Sequence, residues 1–236
     1  MILSYEDIEH ISAAVTHDFL STVPAAEQKY AVDIDALAKE YLGLDVSYRT
    51  LSEDGSVLGV TAYSDTAYTC KLNGEGIVVP LKRSHILIDR RLLCFYGPKK
   101  NRRRRFTLAH ECAHQILFQL EAPEVQAACR SKYRAVAYSL RELKSHEDWN
   151  EWQANALGAA LLMPEDRLKA AFRKMCGDKP LTAFGGCLTQ RAWLLIGHLS
   201  SAFNVSFTAM KIRLKKLGLL VSLPRRFAPD ILELCV

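Results

Sequence analysis

Two stretches near the start of the chain place apolar residues three and four positions apart, the spacing of an amphipathic helix. This spacing predicts helices over residues 4–20 and 32–42. In the second stretch, VDIDALAKEYL, Gly43 follows at a position where a helix commonly ends. One face of this helix is apolar, formed by Ile34, Leu37, Ala38 and Tyr41.

Between residues 44 and 89 the pattern changes to short runs rich in Val, Ile, Thr and Tyr. The pairs Asp54-Gly55 and Asn73-Gly74 interrupt these runs, and both pairs are typical of tight turns. We therefore predict strands joined by turns. The segments are LGVTAY, TAYTCKL, GIVVP and HILID.

Almost everything past residue 119 has helical periodicity. Because the predicted strands lie together in the first part of the chain and most helices follow them, we predict the α+β class. Pro180 and the pair Gly185-Gly186 mark loops, so the best boundary lies near residues 178–187. We predict a main domain over 1–180 and a C-terminal helical segment over 181–236.

Residues 195–220 contain two apolar-periodic helices around a turn at Phe203 to Ser206. Asn204 suits the left-handed position of such a turn, and Ser206 suits a helix N-cap. This is a helix-turn-helix-like outline, with basic residues on its second helix. Those bases either contact phosphates of a nucleic acid or are solvated on a hairpin that docks on the main domain or a partner, and docking is the preferred interpretation. They are Lys211, Arg213, Lys215 and Lys216.

Length and composition allow one well-buried domain or a domain plus a small appendage, because 49% of the 236 residues are hydrophobic. The 7 cysteines are scattered without a CxxC pair, which favours reduced thiols. The N-terminal stretch MILSYEDIEHISAAV lacks the basic patch and apolar run of a signal peptide, and no stretch is apolar for long enough to cross a bilayer. We expect a cytoplasmic protein.

The net charge of +5 is unevenly distributed, because six bases lie close together just before residue 106. One interpretation is a solvated loop, and the other is a patch that attracts an acidic partner or nucleic acid. The six are Lys99, Lys100, Arg102, Arg103, Arg104 and Arg105.

The segment FTLAHECAHQILF, residues 106–118, contains the pattern HExxH. On a helix, His110 and His114 lie one turn apart on the same face and can bind one zinc ion. Glu111 flanks that face, where its carboxylate can accept a proton from a metal-bound water. Cys112 points elsewhere and is predicted to be a core cysteine. The core side of this helix is predicted to be Phe106, Ala109, Ala113, Ile116 and Leu117.

A zinc site of this kind needs a third protein ligand. The spacing HExxHxxGxxH is excluded, because Leu117 and Leu120 occupy the positions of its glycine and third histidine. A second helix over 149–164, WNEWQANALGAALLMP, supplies Glu151, with Asn155 four residues later on the same face to hold a ligand by a hydrogen bond. The small residues of this helix allow a close approach to the histidine helix. His146 and Glu147 are competing candidates that we interpret as solvated.

Together, FTLAHECAH and EWQANALGAALLMP resemble the ImmA/IrrE family of zinc metallopeptidases. Family phrases are similar to RFTLAHELGH and ExEANxFAxxLLMP, and here Cys112, Ala113, Gln153 and Gly158 differ from them. The similarity covers roughly residues 30–220. It implies a compact, zincin-like, gluzincin-type fold and a helix-turn-helix repressor as partner, cleaved or inactivated to release genes of a mobile element or a stress response.

By analogy with zincins, an exposed edge strand would bind an extended substrate through β-augmentation. We predict that this strand is Ile86, Leu87, Ile88 and Asp89. For the group that stabilises the oxyanion, Tyr96 and Tyr133 are candidates only.

The leading hypothesis is a site-specific zinc endopeptidase. His110, His114 and Glu151 would bind Zn²⁺, Glu111 would be the general base, and the substrate would be a helix-turn-helix repressor. A second hypothesis is a metal-containing regulator or anti-repressor that binds a repressor or DNA without proteolysis. A third is a helical interaction module without a metal.

Overall fold

The computed structural model describes residues 2–24, 30–72, 75–93, 98–132, 147–227 and 234–235. The chain divides into two compact units. Unit 1 comprises Met1–Thr22 and Asp33–Leu161, and unit 2 comprises Val23–Val32 and Leu162–Val236. The division into domains at residue 180 stays a prediction, because compactness alone does not show which segment folds independently.

The two N-terminal helices are confirmed. Helix α1 spans Tyr5–Ser21, and the Ser4 hydroxyl accepts a hydrogen bond from the backbone N–H of Asp7 in a capping box. Helix α2 spans Ile34–Ala36 and continues as a π-helical turn over Leu37–Tyr41. Gly43, with φ of 65°, follows directly, in the left-handed conformation that glycine adopts without steric cost.

Five strands follow in unit 1, and the four predicted segments are among them. They are β1 Asp45–Arg49, β2 Gly59–Thr61, β3 Thr66–Leu72, β4 Glu75–Leu81 and β5 His85–Asp89. Strands β3 and β4 form an antiparallel pair, whereas β1, β5 and β2 form a sheet in that order. The pair Asn73-Gly74 lies outside the described residues.

Strand β5 is the centre of its sheet, so the prediction that Ile86, Leu87, Ile88 and Asp89 form an exposed edge is wrong. β1 pairs with β5 in parallel on one side, and β2 pairs with it antiparallel on the other. All four residues are 0% exposed. Because both edges of β5 carry ladder hydrogen bonds, no backbone group remains there for a substrate.

Asp89 has a structural role instead. Its carboxylate accepts hydrogen bonds from the backbone N–H of Leu51 at 3.0 Å and from Nε of Arg91 at 2.8 Å. Burial raises the pKa of Asp89, but these bonds and the Arg91 charge outweigh burial and lower it overall. The ionised carboxylate thus ties the end of β5 to the loop that precedes β2.

Two long helices complete the core of unit 1, with a shorter helix between them in the chain. Helix α3 spans Pro98–Leu120, α4 spans Pro123–Lys132 and α5 spans Glu147–Leu162. None of the described helices has both the length and the apolar content that crossing a membrane requires. Buried residues of α1, α3 and α5 form one cluster: Ile8, Ala113, Ile116, Ala154, Leu157, Ala160 and Leu161.

The basic run belongs to α3, which corrects its interpretation as a solvated loop. Arg104 donates hydrogen bonds of 2.7 Å from Nη1 and from Nη2 to the two carboxylate oxygens of Asp35. Its Nη1 also donates to the Tyr48 hydroxyl at 2.9 Å, and Arg105 is 7% exposed. These two arginines therefore stabilise the packing of α3, whereas Arg103 is exposed.

Unit 2 contains a sheet, so the prediction of an almost wholly helical chain beyond residue 119 is wrong. Its four described strands lie in the order β8, β6, β7 and β9. The strands are β6 Leu181–Phe184, β7 Cys187–Thr189, β8 Leu220–Leu223 and β9 Leu234–Cys235. Each is too short for its alternation to stand out in the sequence. Gly185 and Gly186, with φ of 56° and 89°, form the turn between β6 and β7.

The helices of unit 2 are α6 Glu165–Cys176, α7 Gln190–Ala202 and α8 Phe207–Lys216. The predicted turn between α7 and α8 is confirmed: Asn204 has φ of 50°, and Ser206 caps α8 by accepting from the N–H of Ala209. Arg213 is buried and donates to the carbonyl oxygen of Met163 at 3.0 Å, so it is not one of the solvated bases. Lys215 and Lys216 are exposed.

Candidate metal centre

Helix α3 places the two histidines of HExxH side by side. His110 and His114 are 8% and 5% exposed, and their Nε2 atoms are 3.1 Å apart. The imidazole planes meet at 84° with ring centroids 4.6 Å apart. This is the arrangement that the four-residue spacing predicts, with both nitrogens directed at one point.

Helix α5 brings Glu151 to the same point. Its two carboxylate oxygens lie 3.3 Å from Nε2 of His110 and 3.2 Å from Nε2 of His114. Bonds of about 2.0 to 2.1 Å in a tetrahedral zinc site place ligand atoms about 3.3 to 3.4 Å apart. The two imidazole nitrogens and the carboxylate of Glu151 thus lie within the range of distances that ligands of one metal ion have, and one ligand atom from each residue lies within 4.8 Å of the others. Within the described residues they form the single cluster of His, Cys, Asp or Glu able to hold a metal.

The charge states of Glu151 and His114 suit a cation. Burial raises the pKa of Glu151, but the hydrogen bonds with His110 and His114 outweigh it and lower that pKa to about 2. Burial lowers the pKa of His114 and thereby favours the neutral, metal-binding imidazole. His110 also experiences burial, but Glu151 and the charge on Glu111 raise its pKa overall. An anionic carboxylate therefore lies against two imidazoles.

A close helix contact holds Glu151 in place. A Cβ atom added to Gly158 of α5 would lie 3.1 Å from the backbone N of His110 and 3.2 Å from the carbonyl C of Ala109. Seven residues make nearly two helical turns, so Gly158 lies on the same face of α5 as Glu151. The absence of a side chain at 158 lets the backbones approach, and that approach brings the carboxylate to the histidines.

We expect Gly158→Leu to weaken zinc binding by roughly tenfold to a hundredfold. The added side chain would push α5 away from α3 and draw Glu151 away from the histidines. Zinc affinity is measured by competition with a chromophoric chelator. The control is Gly197→Leu in α7, where an added Cβ meets nothing within 4 Å. A folded Gly158→Leu protein with the zinc affinity of the unmodified chain would contradict this account.

Glu111 lies beside the cluster and is fully buried within α3. It is 1% exposed, and its Oε2 has no hydrogen-bond partner among the described residues. Burial raises the pKa of Glu111 to about 7, although the nearby His110 opposes the shift. A carboxyl group with a pKa near neutrality can both accept and return a proton.

The cluster opens into a cleft of about 230 Å³. One wall is the segment that leads into β2, and the other belongs to α3 and α5. The lining residues are Ser56, Val57, Leu58, Gly59, Phe106, Thr107, His110, Glu111, Glu151 and Asn155.

Four of the predicted site residues line this cleft, namely His110, Glu111, Glu151 and Asn155. Asn155 lies on its wall, and its amide contributes to raising the pKa of His110. Phe106 was predicted to be core but is half-buried and lines the cleft. Cys112 is buried, and burial raises the pKa of its thiol, as expected of a core cysteine.

Some candidates cannot be placed. His146, Tyr96 and Tyr133 lie outside the described residues, as does the side chain of Glu147 at the start of α5. Two glycines of the site, Gly59 and Gly158, were not predicted as functional. A glycine inside a predicted strand and a glycine on the ligand face of a small-residue helix are the signals that could have identified them.

Comparison with known proteins gives one family. The model of Peptidase_M78, described as IrrE N-terminal-like domain, matches residues 80–215, which is more than half of the chain. No curated protein matches. A solved structure of a Mycobacterium tuberculosis transcriptional regulator is similar at 12% identity with a TM-score of 0.45, over 89% of this chain and 51% of that chain. The chain thus spans about half the length of that structure.

Proposed function

Because the chain belongs to the Peptidase_M78 family, we propose that it is a zinc-dependent endopeptidase with its active site in the cleft between β2 and α3. His110, His114 and Glu151 hold the ion, and Glu111 is the general base. The observation that carries the proposal is a cluster beside the buried Glu111 carboxylate, in which the two Nε2 atoms are 3.1 Å apart and each lies 3.2 to 3.3 Å from one oxygen of Glu151. When bound, Zn²⁺ supplies Lewis acidity that brings the pKa of a coordinated water to about 7.

In this proposal Glu111 is the residue that accepts and donates the proton. Its unpaired Oε2 accepts a proton from the attacking water and later returns it to the amine that leaves. A surface glutamate would be too weak a base at neutral pH, whereas burial brings the pKa of Glu111 to about 7. Glu151 cannot share this role, because its pKa of about 2 makes it a poor base.

We place the substrate along β2 instead of β5. In the described part of the sheet β2 is an edge strand, and Gly59 precedes Val60 and Thr61 on it. Leu58 and Ala62 bond to β5 through Leu58 O and Ala62 N, so by alternation the N–H and C=O groups of Gly59 and Thr61 point away from β5. An extended peptide can pair with those groups beside the cleft.

The specific substrate we propose is a helix-turn-helix repressor of a mobile element or a stress regulon. Support comes from the resemblance to the ImmA/IrrE family, carried by the phrases around His110 and Glu151. The alternative, a regulator that acts without proteolysis, stays a prediction. Its support from the basic run is reduced, because Arg104 pairs with Asp35 and Arg105 is buried, whereas Lys215 and Lys216 remain exposed on α8.

The test combines metal analysis with cleavage. We expect one zinc ion per chain by elemental analysis, and cleavage of a helix-turn-helix repressor encoded beside the gene. Removing the metal with 1,10-phenanthroline should abolish cleavage, and added Zn²⁺ should restore it. A peptide library is the second substrate, so that peptidase activity is detected even when the repressor is not the target. A metal-free protein, or cleavage that phenanthroline leaves unchanged, would overturn the proposal.

A further inference from the structure

Gly59 lies on β2 directly against the carboxylate of Glu111. A Cβ atom built on Gly59 would lie 2.8 Å from Cδ and 2.9 Å from Cγ of Glu111, and closer still to Oε1. Real Cβ atoms essentially never come within 3.0 Å of a heavy atom that belongs neither to their own residue nor to its two chain neighbours. Every residue type except glycine therefore collides with Glu111 at this position.

Neither the backbone of β2 at Gly59 nor the backbone of α3 at Glu111 can shift easily to relieve this collision. Gly59 pairs with Ile88 of the central strand, and the N–H of Asp89 donates to the carbonyl oxygen of Leu58 at 2.8 Å. The next residue, Val60, is 1% exposed in a core cluster with Leu87. On the other side, Leu108, Ala109 and Cys112 anchor α3 with 0% exposure. A side chain at 59 must therefore displace the Glu111 carboxylate itself.

We infer that Gly59 is the positioning residue of the general base. It provides the space in which the Glu111 side chain is held, and it lies on a strand that is at the edge of its sheet in the described part of the chain. A peptide bond paired to the outward-facing groups of Gly59 consequently lies beside the base. The role of Glu111 as base rests on the proposed function, but the steric coupling between the two residues does not.

The coupling is measured first by thermal unfolding of the metal-free protein, which needs no substrate. Gly59→Ala is made in three backgrounds: unmodified, Glu111→Gln and Glu111→Ala. We expect a Tm loss of roughly 5 °C or more in the unmodified and Gln backgrounds, where the side chain has the same shape. In the Ala background the loss should largely disappear, because the colliding atoms are gone.

Gly197→Ala in the same three backgrounds is the matched control. An added Cβ at Gly197 meets nothing within 4 Å, so its effect should be small and equal in all of them. Equal Tm losses for Gly59→Ala in the Gln and Ala backgrounds would overturn the inference. If Gly59→Ala does not fold, recovery of folding by Glu111→Ala supports the inference, and failure of both variants to fold overturns it.

A second measurement separates positioning from general packing. With Zn²⁺ bound, Gly59→Ala should lower kcat at least tenfold while KM changes less, because a misplaced base affects proton transfer more than binding. Glu111→Asp, one methylene shorter, should recover part of the loss in the Gly59→Ala background. An unchanged kcat would overturn the positioning role. If the unmodified protein proves not to be a peptidase, the proposed function fails, and the unfolding comparison still decides the coupling.

Discussion

Replacing Glu111 by Gln should lower the rate of peptide hydrolysis by roughly a hundredfold to ten-thousandfold while zinc remains bound. Glutamine has nearly the same shape, so it should fit the space beside Gly59 without new collisions. It has no basic oxygen that takes a proton near neutral pH. In addition, the substitution removes a buried carboxylate whose Oε2 has no partner among the described residues, so we expect folding stability to be retained or increased.

The measurement is kcat/KM for the repressor or a library-derived peptide, with zinc content determined on the same sample. Glu124→Gln is the matched control, because it makes the same chemical change at an exposed position of α4 that does not line the cleft. Its activity should equal that of the unmodified protein. Full activity of Glu111→Gln with zinc bound would show that another group accepts the proton.

The part of this site that the sequence predicts is the part built from helical spacing. Residues four apart on a helix share a face whatever the tertiary structure, so the meeting of His110 and His114 followed from the pattern alone. The third group, Glu151, was predictable because two helices with small residues on their facing sides pack closely. These rules use local geometry and need no knowledge of how the sheets are ordered.

The predictions that failed depend on non-local pairing. Segment HILID was correctly predicted to be a strand, but strand order is set by β1 and β2, which lie about 40 and 25 residues earlier in the sequence. Neither interpretation of the run of bases, a solvated loop or a patch for an acidic partner, included an internal ion pair, because the partner of Arg104, Asp35, lies 69 residues away. In unit 2 the strands pair into a sheet, but they are too short for the hydrophobic periodicity of the sequence to predict them.

The two glycines illustrate the same limit within the site. Glycine has no side chain whose chemistry could identify it, so its role depends on what occupies the adjacent space. Gly59 matters because Glu111 lies opposite, and Gly158 matters because the backbone of His110 does. Both contacts, Gly59 with Glu111 and Gly158 with His110, arise from tertiary packing. The metal ligands and the candidate base can therefore be predicted from the sequence. The glycines that position them cannot, because their role depends on tertiary packing.

Replacing Glu151 by Gln should weaken zinc binding by more than about a hundredfold, because a neutral amide replaces the one anionic ligand beside two imidazoles. Competition with a chromophoric chelator measures the affinity. Asn155→Ala is the control on the same helix, and we expect it to cost about tenfold, since Asn155 supports His110 and does not belong to the donor cluster.

The same chemical change at the two glutamates should thus have different consequences. Glu111→Gln should keep the metal and lose the rate, because the role proposed for Glu111 is proton transfer and not metal binding. Glu151→Gln loses the metal and with it the rate, and a high zinc concentration should restore part of the activity only in this second variant. If Glu151→Gln retained zinc and Glu111→Gln released it, the roles assigned to the two carboxylates would have to be exchanged. If neither variant changed zinc affinity, the ion would have to be bound elsewhere.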